Sequence, residues 1–142
     1  MRGQTAIEFM LIFGVIMVTI IVLFHPILTN QRDTIVTSTF KEIASDACYY
    51  INLGVKVEDY EHEPLNNLVG NVKCNFLGIS VDSTTGEIRV TLKFEVNGNA
   101  QDFASGIIEY IKRRITEIRG FTITDKGEIF YRDSKITIEI LT

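Results

Sequence analysis

From Phe9 to Phe24 the chain reads FMLIFGVIMVTIIVLF, an apolar run in which Thr19 carries the one polar side chain. Apolar residues on every side of a helix, without an amphipathic period, mark a segment that meets lipid or other apolar helices all round. The wider stretch from Thr5 to Leu28 would be about 36 Å long as a helix, enough for a hydrocarbon core of about 30 Å. No Lys or Arg falls between Arg2 and Arg32. Pro26 follows His25 and predicts a kink, because proline removes a helix hydrogen bond and crowds the preceding turn. Beyond it the pattern changes. Val36, Phe40, Ile43, Ala47 and Tyr50 recur at spacings of three and four. That is one apolar helix face, and Gly54 supplies the stop signal after Leu53.

The remainder alternates between strand and helix periods. Val55 to Val72 is polar and irregular and reads as a solvated loop. Val72, Cys74 and Phe76, then Leu77, Ile79 and Val81, alternate at period two with one irregularity, and Ile88 to Val96 alternates cleanly after a Thr85-Gly86 turn. Phe103, Ile107, Ile111, Ile115 and Ile118 mark a second amphipathic helix, ended by Gly120. Strands are expected at Phe121–Thr124, Glu128–Arg132 and Lys135–Leu141. The expected fold is α+β: a long N-terminal helix, transmembrane in its first half, packed on a mainly antiparallel β-sheet head with a second helix.

Glu8 stands at the mouth of the apolar run. A carboxylate at the centre of a membrane span costs roughly 2.5–3.5 kcal/mol and less near the interface, so it implies a headgroup-level position, a cationic partner or a function. A secretory signal would carry a small-x-small cleavage site after the run, whereas Phe24, His25, Pro26 and Ile27 stand there, so the segment is expected to be retained. The opening, Met1-Arg2-Gly3-Gln4-Thr5-Ala6-Ile7-Glu8-Phe9, resembles the class III signal sequence of archaeal type IV pilins, with a basic residue and Gly before Gln. The resemblance covers about the first 25 residues and departs in its leader, which is three residues long with Arg2 as its one cation.

The resemblance implies cleavage by a prepilin peptidase between Gly3 and Gln4, leaving the apolar helix attached. It implies residues 1–3 as leader, 4–28 as transmembrane and filament-core helix, 29–54 as its extension on the head, and 55–142 as the head. Glu8 would then set the assembly register by meeting the new amine of Gln4 on a neighbouring subunit. The expected function is a structural subunit, major or minor, of an archaeal type IV pilus-like extracellular filament used in adhesion. It would begin as a single-pass membrane precursor, with sister pilin subunits, the peptidase and the membrane as partners. The alternative is a membrane-anchored extracellular binding or sensory domain that does not polymerise.

The remaining chemistry narrows the classes. A formal net charge of -4, from 14 basic and 18 acidic residues, argues against nucleic acid as a partner. No phosphate loop, paired-His zinc motif, CxxC or nucleophile elbow occurs, so neither an enzyme nor a cofactor is expected. His62 lies in an acidic loop far from His25, the other histidine, and a solvated loop is the simpler reading than a metal site. Lys112-Arg113-Arg114, with Arg119, reads as a solvated basic helix face, with contact to a partner as the other option. Cys48 and Cys74 are either a disulfide worth about 3 kcal/mol or two buried thiols. No Asn-x-Ser/Thr acceptor is present, which leans toward an accessory subunit.

Overall fold

A computed structural model describes the backbone of residues 2–142, with side chains described for 7–24 and 31–142. Helix α1 spans Arg2–Leu53, and a short 3-10 turn spans Glu63–Leu65. Strands β1 (Lys73–Thr84) and β2 (Glu87–Asn97), helix α2 (Ala100–Ile115), and strands β3 (Phe121–Ile123), β4 (Ile129–Tyr131) and β5 (Ser134–Leu141) follow. The chain divides into two compact units, Met1–Ile35 and Val36–Thr142, so α1 contributes to both. Gly3, Gln4 and Pro26, where cleavage and a kink are expected, fall within the span of α1, and their side chains lie outside the described residues.

The five strands form one mixed sheet in the order β1-β2-β5-β4-β3. Three of its four pairings are antiparallel, and β2 with β5 is parallel. The α+β layout read from the sequence therefore holds, with one parallel pairing inside a mainly antiparallel sheet. Parallel neighbours need a long crossover, and α2, β3 and β4 supply it. The irregularity expected in the first strand is a register shift between Phe76 and Gly78. Such a bulge leaves one extra residue unpaired, and Leu77 is correspondingly 61% exposed.

Alternation sends Ile88, Val90, Leu92 and Phe94 of β2 to one face, all buried. Helix α2 covers that face with Phe103, Ile107, Ile111 and Ile115, each fully buried. Its start is fixed by Asn99, whose side chain accepts from the amides of Gln101 and Asp102, satisfying donors with no partner inside the helix. It ends at Ile115, earlier than Gly120. Residues 116–118 continue as tighter turns, in which Glu117 and Ile118 donate to the carbonyls of Arg114 and Ile115. From α1 the same core receives Val36, Phe40, Ile43, Ala44, Ala47 and Ile51. Phe40 meets Phe121 edge-on at 6.2 Å and Phe94 meets Phe103 at 5.1 Å.

The stretch read as a solvated loop is instead a folded strap. Its amides form successive turns: Glu63 donates to Asp59, Asn66 to His62, Val69 to Leu65 and Val72 to Leu68. Leu65, Leu68, Val69 and Val72 are buried. Their spacing of three and four is a helical period hidden among polar neighbours. Gly106 of α2 makes the close approach possible, since a Cβ there would lie 3.0 Å from Leu68 Cδ1 and 3.1 Å from the Pro64 carbonyl.

Candidate functional site

The candidate site with the clearest physical demand is the apolar segment of α1. Ile7–Phe24 has a mean hydropathy of 2.8 and none of it is buried within the unit. It is long and apolar enough to cross a membrane. Thr19 is accommodated by donating its hydroxyl to the Val15 carbonyl at 2.8 Å, so no unsatisfied donor faces an apolar medium. Phe9 and Phe13 stack along the helix with centroids 6.4 Å apart. Glu8 is the one ionisable residue of this segment, and it is exposed. None of the ion pairs among the described residues includes it.

In the other unit, Cys48 of α1 and Cys74 of β1 form a disulfide, with Cα atoms 5.2 Å apart and both residues buried. One helical turn further on, the Asn52 carboxamide donates to the Cys74 carbonyl at 2.7 Å and accepts from the Cys74 amide at 3.1 Å. Covalent staple and bidentate clip thus fasten the last turns of α1 to the first residues of β1. An open groove beside them is lined by Asn71, Lys73, Asn75, Glu95 and Asn97. It brings no nucleophile and base together.

The strap is fastened along its length. The Tyr50 hydroxyl accepts from the Val57 amide at 2.8 Å and donates to Asn66 Oδ1 at 2.7 Å, while Asn66 Nδ2 returns to the Val57 carbonyl at 3.0 Å. Arg113 bonds Glu63 at 2.7 Å and the Tyr60 carbonyl, and its guanidinium lies 4.3 Å from the centre of the Tyr60 ring. Arg114 reaches Glu61 at 3.2 Å. Two residues of the basic run expected to be a solvated face therefore clasp the acidic strap. The charge signs on the two segments were visible in the sequence, but their apposition depends on the fold.

His62 is also drawn in. Its ring lies 4.3 Å from that of Tyr50 and 5.5 Å from that of Tyr110, with Nδ1 at 2.9 Å from both Asp59 oxygens. The His62 amide donates to Asp59 Oδ1 at 2.7 Å. This amide bond, aided by the ring, holds the Asp59 carboxyl below the usual carboxylate range. Burial pushes the Tyr110 phenol up to about 12, opposed by the positive charge of Arg114. Among the described residues no group of three or more His, Cys, Asp and Glu side chains is placed to hold a metal ion.

No protein-family model, no curated protein and no solved structure matches the chain.

Proposed function

We propose that this chain is a structural subunit of an archaeal type IV pilus-like extracellular filament, inserted through α1 as a single-pass precursor and assembled through the same helix. The observation that carries the reading is Glu8, a lone carboxylate at the entry of an apolar segment of α1 that is exposed from Ile7 to Phe24. A helix of that kind needs lipid or copies of itself around it. An unpaired carboxylate buried among such copies costs several kcal/mol unless a cation meets it. Hydrolysis of the Gly3–Gln4 bond by a prepilin peptidase adds water across the peptide, leaving a carboxylate on Gly3 and an ammonium on Gln4. The ammonium of one subunit neutralises Glu8 of the next, and each pairing fixes an axial register. Coulomb attraction is strong in such a low-dielectric bundle, so the pair selects one stagger among many of similar apolar contact.

The test uses the full chain in cells that carry the peptidase. The mature protein is expected to begin at Gln4, and Glu8→Gln to abolish filaments while the chain still enters the membrane. A chain that keeps Met1 and stays dispersed in the bilayer, or a Glu8→Gln variant with unchanged filament yield, overturns the proposal in favour of an anchored domain that does not polymerise.

A further inference from the structure

Assembly through α1 leaves the open groove at the start of β1 and the end of β2 without a task. Its volume of about 1160 Å³ is ample for a ligand of several rings. Sheet register builds the lining. Lys73 lies opposite Asn97 and Asn75 opposite Glu95, and because side chains alternate along a strand, all four project from one face. The Asn75 carboxamide donates to Glu95 Oε2 at 3.4 Å and holds that carboxylate in place. Among the described residues no hydrogen bond or ion pair occupies the Lys73 ammonium or the Asn97 carboxamide. The floor is fixed by the Cys48–Cys74 disulfide and the Asn52 clip. Gly98 packs so closely that a Cβ there would lie 2.9 Å from Val72 Cγ2, whereas Gly54 and Gly70 line the groove without a side chain to fill it.

We propose that this groove binds a neutral oligosaccharide. The lining disfavours the other ligand classes. Ile51, Val72 and Cys74 are buried, so an apolar ligand finds little surface to cover. Lys73 and Glu95 offset one another, which leaves neither an anion nor a cation a net attraction. What remains is a set of paired donors and acceptors. Each carboxamide of Asn71, Asn75 and Asn97 offers N–H and C=O side by side, the Glu95 carboxylate accepts twice, and the Lys73 ammonium donates. Vicinal hydroxyls of a sugar ring both donate and accept, and they match such a lining group for group. In an open groove every one of these contacts displaces water, so one head binds weakly, with Kd on the order of 1 mM. Heads repeated along a filament would raise the avidity for a glycan-covered surface by about 10²- to 10⁴-fold. That gain rests on the filament reading, whereas the groove itself does not.

The test uses the full chain in dodecylphosphocholine micelles, a detergent without a sugar headgroup. Maltotriose, cellotriose and chitotriose are each titrated to about 20 mM, well above the expected Kd, while amide NMR shifts are followed. At least one of them should shift the amides of Lys73, Asn75, Glu95 and Asn97 saturably and leave Ile111, in the core of α2, unmoved. Asn97→Ala, at an exposed position, should weaken that binding roughly tenfold, the worth of two neutral hydrogen bonds, with the Ile111 amide unchanged. Glu8→Gln should bind as the wild type does, so loss of filaments and loss of sugar binding are read separately. No saturable shift with any of the three sugars, binding unaltered in Asn97→Ala, or inorganic phosphate bound more tightly than the sugars, overturns the inference.

Discussion

One continuous helix serves two environments here, and the contrast between its halves is instructive. Residues 7–24 are apolar on all sides and exposed within their unit, whereas from Val36 onward α1 buries one face and leaves Lys41, Glu42 and Asp46 on the other. Backbone conformation is the same in both. What differs is the angular distribution of side chains, and that decides whether a helix seeks one core or an apolar medium all round. Helical propensity has little part in the distinction, since β-branched Val, Ile and Thr crowd the first half.

The sharpest way to break the comparison is to truncate one phenylalanine in each half. Phe40 is fully buried, whereas Phe13 is 49% exposed within its unit. Phe40→Ala should cost the head about 3–5 kcal/mol, by lost transfer energy and the cavity left behind, measured by urea unfolding of the full chain in detergent. Phe13→Ala should leave that midpoint unmoved. Equal shifts would mean that the two halves share one cooperative core.

A smaller effect attends the staple that fastens the second half and has no counterpart in the first. The disulfide closes a loop between residues 26 apart in sequence. Replacing Cys48 and Cys74 together by Ala should lower stability by about 3 kcal/mol in the chain-entropy account, read as the difference in unfolding midpoint from the oxidised wild type. Amides of residues 9–24 should exchange at unchanged rates in the same variant.

The smallest effect sharpens the electrostatic side. The Asp59 carboxyl is held below its ordinary value, so the stability it contributes is present above the unfolded value near 3.8 and is lost as pH falls through the folded value. Because the group is well exposed, Asp59→Asn should cost no more than about 0.5 kcal/mol at pH 7. The difference from wild type should fade as both are titrated down through the folded value of that carboxyl, in paired thermal melts.

Elements with a clean period were legible from the residues alone. The alternation of Ile88 through Val96 predicted β2, the spacing of Phe103 through Ile115 predicted α2, and the break in alternation at Phe76-Leu77 anticipated the bulge. Pairing order was not legible, because the parallel union of β2 with β5 brings together residues about 48 positions apart, as in Ile88 opposite Ile136, and nothing local encodes it. The strap was misread because Glu58, Asp59, Glu61 and Glu63, with Asn66, Asn67 and Asn71, masked Leu65, Leu68, Val69 and Val72. The roles of Arg113, Arg114 and His62 went unread for the same reason, since each depends on what the folded strap brings near. At the candidate site Glu8 was legible, because a charge at the edge of an apolar run needs no tertiary information to be conspicuous.

The carboxamide of Asn52 has a consequence beyond fastening α1. An outermost strand normally leaves its amide and carbonyl groups open as a template on which a stray chain can add itself, the route by which sheets grow into fibrils. At Cys74 both groups are already taken by a side chain that imitates the backbone of a neighbouring strand one residue long. A second copy of the chain is thereby denied a foothold at that end of β1.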